Sequence, residues 1–142
     1  MSIFKPAPSP SPERMLAVLR IVAGAVFITF GTMKLFNVPP MPTGMPPIAL
    51  MSELGLAGAL ETFGGLAILF GFLVRPVAFV LAGEMAVAYF TGHFPRSFFP
   101  SINQGAPAVL YCFIYLYFAA AGAPVWSIDA IIGKSKSDLQ PR

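Results

Sequence analysis

Arg20, Lys34, Glu61 and Glu84 stand inside segments otherwise built from apolar residues and glycine, and His93 closes one of those segments. An ionisable group at the centre of a bilayer costs about 2.5–3.5 kcal/mol on insertion scales, so such groups face protein or a wet cavity. Opposite charges buried there either clasp helices together or form a polar site that binds a small head group or relays protons. The residue types leave both readings open. Snorkelling of Arg20 and Lys34 toward the lipid surface is a third.

Helical spacing gives these groups directions. Arg20, Gly24, Phe27, Gly31 and Lys34 share one face, at steps of four, three, four and three. Glu61 shares a face with Gly64, Gly65, Ile68 and Gly71, and Glu84 with Val80, Ala88 and Thr91. Glycine beside a charge lets a neighbouring helix come close, which points Arg20, Lys34 and Glu61 into a bundle. Depth then suggests partners. Lys34 sits near one end of its segment, with a stem long enough to reach Glu61. Arg20 and Glu84 lie at depths that differ by only ~3 Å at ~1.5 Å per residue, which pairs them.

The remaining candidates are weaker. His93 lies half a turn away from the Glu84 face and reads as an interfacial residue, with proton transfer near Lys34 and Glu61 as its secondary role. Tyr111 and Tyr115 form a stripe with Pro107, Phe118 and Gly122. That stripe packs against neighbouring helices, or it turns a phenol hydroxyl toward a buried carboxylate. Cys112 is the sole cysteine and reads as a small buried hydrophobe. No metal site is expected, because one His, one Cys and scattered carboxylates lack ligand spacing. No nucleotide, flavin or haem motif stands out.

These groups need elements to hold them. Of 142 residues, 56% are hydrophobic and 11% charged, against roughly 25% charged in an average soluble chain. A polytopic membrane protein follows, with the lipid bilayer as its surroundings. The net charge of +3 is spread out, so nucleic-acid binding finds no support. Four apolar spans can be marked, at about Met15–Leu35, Leu54–Leu73, Pro76–Phe94 and Pro107–Gly122. Each approaches the ~20 residues that cross a bilayer as helix. The fold class is therefore all-α, an integral membrane four-helix bundle.

Between the spans lie the proline-rich VPPMPTGMPP (38–47), the turn LVRP (73–76) and the aromatic HFPRSFFPSINQG (93–105). Residues 1–13 read as a disordered tail, 14–132 as the membrane domain and 133–142 as a polar tail. The first span is too long for a secretory signal and lacks a small-residue cleavage site, so a retained helix is expected. Lys5, Arg14, Arg75, Lys134, Lys136 and Arg142 fall on one side of the membrane, and Lys34 and Arg96 on the other. The positive-inside rule then puts both termini in the cytoplasm.

The order and spacing of LRIVAGAVFITFGTMKLF (19–36), LETFGGLAILFGFLVRPVA (60–78), GEMAVAYF (83–90), HFPRSFFPSINQG (93–105) and GAPVWSIDA (122–130) resemble the DoxX family of small four-helix bacterial membrane proteins. The resemblance covers roughly residues 14–133. It implies a multi-pass protein of the bacterial inner (plasma) membrane and an accessory, quinone-contacting subunit of a membrane redox system. The implied partner is a membrane or peripheral oxidoreductase, with no catalytic activity in this chain alone. The family's recurring charged positions match Arg20, Lys34, Glu61, Glu84 and His93. One departure stands out: the segment NQGAP places Ala106 where family members often carry an acid. Either that acid serves a ligand or proton, and the activity is absent here, or it only caps the helix or pairs with a base. Two other functions stay open. One is a small-solute or proton carrier, which needs a homo-oligomer because four helices without an internal repeat make a weak transporter. The other is a membrane scaffold with purely structural ion pairs.

Overall fold

The computed structural model of the protein describes residues 10–41 and 48–138. Residues 1–9 of the expected N-terminal tail, 42–47 of the proline-rich loop and 139–142 of the polar tail lie outside the described residues. The described chain is all helical: α1 (Pro12–Phe36), α2 (Glu53–Phe70), α3 (Val74–Arg96), the short α4 (Pro100–Asn103), α5 (Ala106–Ala121) and α6 (Ile128–Asp138). Among the described residues, α1, α2 and α3 are long and apolar enough to cross a membrane, while α5 is a shorter apolar helix. Two expected boundaries shift. Pro12 and Glu13 belong to α1, with Ser11 as its cap. The polar segment after Gly133 continues as helix to Asp138.

Close approach organises α1 against α2. A β-carbon on Gly24 would lie 2.7 Å from the Leu69 nitrogen and 2.9 Å from the Gly65 oxygen. One on Gly31 would meet the Gly58 oxygen at 2.7 Å. Only hydrogen fits at these two crossings, so the helix backbones touch, as in small-residue membrane interfaces. On the other side α3 packs along α5. The core between the helices holds Phe27, Ile68, Val74, Ala78, Leu81, Met85, Tyr115 and Phe118. Phe27 joins the two halves, its ring centroid 5.1 Å from Tyr111 and 5.0 Å from Tyr115. The outer faces are apolar too: Val22, Phe63, Phe79 and Phe113 are each more than half exposed. Helices that are apolar all round belong in lipid.

At the end where α1 begins, two polar side chains tie three segments together. The buried Arg20 does not pair with Glu84. Its guanidinium donates to the carbonyls of Ile68 (2.5 Å), Leu69 (2.6 Å) and Trp126 (2.7 Å). The last carbonyls of a helix lack intrahelical donors and carry its partial negative charge, so the C-terminal end of α2 is a ready partner for a cation. Similar depth does not bring Arg20 and Glu84 together, because they meet α2 at different heights. Arg20 meets it near Ile68 and Glu84 near Glu61, seven residues or ~10 Å apart along the axis.

Asp129 is the second tie. Its two carboxylate oxygens accept from the Leu73 and Val74 N–H groups at 2.8 and 2.9 Å, capping α3 from a distant part of the chain. This cap starts α3 at Val74 and moves the reversal to Gly71–Leu73, two residues before the expected LVRP turn. Replacing Asp129 with Ala should cost about 1–2 kcal/mol of stability, the usual worth of a cap. Arg20→Met should cost more, because it strips donors from three carbonyls, each orphan worth about 1–3 kcal/mol. Denaturation midpoints in mild detergent would check this order, and an Arg20→Met protein as stable as Asp129→Ala would contradict it.

Candidate functional site

Toward the other end of α1, Lys34, Glu61 and Glu84 come together from three helices. Lys34 lies in the last turn of α1, before a left-handed Asn37 closes the helix. Glu61 lies in a π turn, Leu60–Gly64, inside α2. Glu61 and the adjacent Thr62 in this turn are both buried. The Thr62 hydroxyl donates a hydrogen bond to the Gly58 carbonyl at 2.8 Å. Glu84 stands midway along α3.

Lys34 Nζ donates to Glu61 Oε1 in an ion pair, and Glu61 is only 2% exposed. The expected Lys34–Glu61 partnership is thus present. Glu84 interacts electrostatically with Glu61 and Lys34. Glu61 Oε2 and both Glu84 carboxylate oxygens are shielded from solvent and have no hydrogen-bond partner among the described residues. Buried polar atoms are nearly always satisfied, so three unpaired acceptors on two neighbouring carboxylates make this cluster the candidate site. The three residues line a groove of about 530 Å³ between α2 and α3, walled by apolar side chains such as Leu54, Leu60, Val80 and Val87. That volume falls in the range of small-molecule sites. Lys34, Glu61 and Glu84 thus form a charged part of a groove whose other walls are largely apolar.

The other candidates take different places. His93 does not join the site. It closes a second π turn, Tyr89–His93, and its Nδ1 donates to the Asn103 carbonyl at 3.0 Å. It ties α3 to the α4 loop instead. Tyr115 is fully buried, stacked among Phe27, Tyr111 and Phe118. Its hydroxyl is buried without a hydrogen-bond partner among the described residues, so the expected bond to a carboxylate is not present. Tyr115 nevertheless lies within the electrostatic reach of Glu84 and Glu61. Ala106 is the first residue of α5. Among the described residues no group of three or more His, Cys, Asp or Glu could hold a metal ion.

Two residues carry structure that the sequence did not single out. Buried Asn103 donates to the Ser97 carbonyl (2.7 Å) and accepts from the Gly105 N–H (2.7 Å), shaping the turn into α5. Its Asn-x-Gly setting was the available signal. Asp129 acts across 55 residues of sequence and left no local signal.

Removing the lysine tests the pair. Lys34→Met leaves Glu61 buried without its ammonium and should cost about 3–5 kcal/mol. The double change Lys34→Met with Glu61→Met should recover most of that loss, because two apolar side chains need no compensation. Denaturant titration in detergent would read both. A double variant no more stable than Lys34→Met would mean that the pair is not what the lysine serves.

Comparison with known proteins agrees with this architecture. The sequence model described as DoxX matches residues 15–94. A Haemophilus influenzae relative, described only as an uncharacterized protein, is 38% identical over 117 residues, covering 80% of this chain and 87% of the relative. The Escherichia coli inner membrane protein YqjF is 29% identical over 128 residues, covering 84% of this chain and 88% of its own. No solved structure matches. With more than half of its length under the family's sequence model, and its helices apolar on their outer faces, this chain belongs to the DoxX family of membrane proteins.

Proposed function

We propose that the chain is a four-crossing protein of a bacterial inner membrane, with α1, α2, α3 and α5 as its spans and both termini in the cytoplasm. Residues 14–132 form the membrane domain in this reading. Alignment of α5 along the spanning α3 supports the fourth crossing, and the inner-membrane description of YqjF supports the location. The orientation rests on the excess of Lys and Arg at the end that holds Arg14, Arg75 and Lys134.

In that membrane the protein serves as an accessory, quinone-contacting subunit of a redox system, without a reaction of its own. The observation that carries this reading is the groove between α2 and α3, where apolar walls lead to Lys34, Glu61 and Glu84. A quinone has matching parts: an apolar body and polar oxygens at the ring. Lys34 would donate to a ring oxygen, and Glu84 would accept from a hydroxyl of the reduced form. The orphan carboxylate oxygens fit such a group. A quinone bound there supplies two-electron redox chemistry, and an oxidoreductase partner exchanges the electrons. A scaffold function draws instead on the Arg20 and Asp129 ties, which join distant helices through backbone groups.

Protein purified in mild detergent should retain a quinone, detected by mass spectrometry of extracted lipids, together with an oxidoreductase. Glu84→Leu should reduce retention about tenfold, the worth of a hydrogen bond to a charged group, without lowering the melting temperature. Wild-type protein carrying neither quinone nor redox partner would overturn the reading. So would unchanged quinone retention in Glu84→Leu.

A further inference from the structure

A second cavity, about 480 Å³, lies at the opposite end of the molecule, between the start of α1 and the segment that leads into α6. Glu13, Arg14, Trp126, Ser127, Ile131 and Lys134 are among its lining residues. α1 is 25 residues long, ~37 Å at ~1.5 Å per residue, so it exceeds the ~30 Å of hydrocarbon and its first turn reaches the head-group layer. Three features of this corner are unexplained by packing.

Trp126 has a left-handed backbone (φ 52), rare for a bulky residue, and its side chain is 60% exposed. The strain is held in place: the Trp126 carbonyl accepts from Arg20, and the neighbouring Ser127 hydroxyl donates to Ala123 and accepts from Ala130. An outlier held this firmly, with its indole still turned outward, suits a membrane interface. Next, Ile128, Ile131 and Ile132 recur at steps of three and one along α6 and are all exposed, giving that helix an uncovered apolar face. An amphipathic helix at the end of a spanning bundle lies in the interface plane. Last, the cavity's charges come in both signs, two cations beside one carboxylate.

We propose that this cavity seats the head group of an aminophospholipid. The phosphodiester lies between Arg14 and Lys134, and the primary ammonium meets Glu13. The glycerol and upper acyl chains run along Trp126 and Ile131. A purely anionic head group would satisfy the cations and leave Glu13 repelled. A quaternary ammonium has no N–H to give it. The site is independent of the α2–α3 groove and of any quinone.

Trp126 is the only tryptophan in the chain, so its fluorescence reports directly from the cavity. The full chain is placed in phosphatidylcholine nanodiscs, and increasing fractions of phosphatidylethanolamine or phosphatidylglycerol are introduced. Inorganic phosphate is titrated separately. Phosphatidylethanolamine should give a saturable spectral shift at a lower fraction than phosphatidylglycerol, and phosphate alone should give none. Arg14→Gln and Lys134→Gln should each weaken the response about fivefold, the worth of one basic residue near a lipid surface. Glu13→Gln should abolish the preference for ethanolamine while leaving the phosphatidylglycerol response. These side chains are exposed, so the variants fold. The proposal falls if no lipid shifts the spectrum, if phosphatidylglycerol matches or exceeds phosphatidylethanolamine, or if inorganic phosphate reproduces the shift.

Discussion

Where α1 crosses α2 there is no room for a β-carbon at Gly24 or Gly31, and that closeness sets the reach of every polar group between the two helices. With backbones in contact, the Arg20 side chain extends to the carbonyls at the end of α2, and the Lys34 stem extends to Glu61. A wider spacing would leave both cations short of their partners inside a low-dielectric interior, where an unpaired charge is costly. The glycines and the charges are therefore one device. Lipid offers no hydrophobic drive between helices, so packing and polar pairing must supply the association.

The two ends of the molecule use their charges differently. Around Arg20 and Asp129 the donors and acceptors are largely matched, and each joins backbone from distant segments. That end behaves as a clamp. Around Lys34, Glu61 and Glu84 one ammonium faces two carboxylates, and three oxygens are unpaired among the described residues. Proteins tolerate such imbalance where a site has work to do, and here it sits on a groove with apolar walls. The π turn that carries Glu61 belongs to the same economy, since π turns concentrate where function displaces regular helix.

Much of this architecture is legible in the sequence. The three longest helices and α5 begin and end close to the spans marked by hydropathy alone, because a bilayer imposes length and apolar composition directly on sequence. The face of α1 with Gly24, Phe27 and Gly31 followed from helical period, and so did the pairing of Lys34 with Glu61. The Arg20–Glu84 pair did not survive. Counting residues gives depth along a membrane but not which neighbour a side chain meets, and carbonyls at a helix end are partners that no side-chain inventory contains.

By itself, then, the sequence determined the membrane setting, the helices and the burial of Glu61, since each depends on composition or on a local period. Only the tertiary structure decided that Arg20 binds backbone, that Asp129 caps α3 from 55 residues away, and that His93 anchors a loop outside the polar cluster. It also placed Glu84 beside Glu61 on one groove. These are relations between segments distant in the chain. They arise from how helices settle against one another, and no window of sequence encodes that geometry.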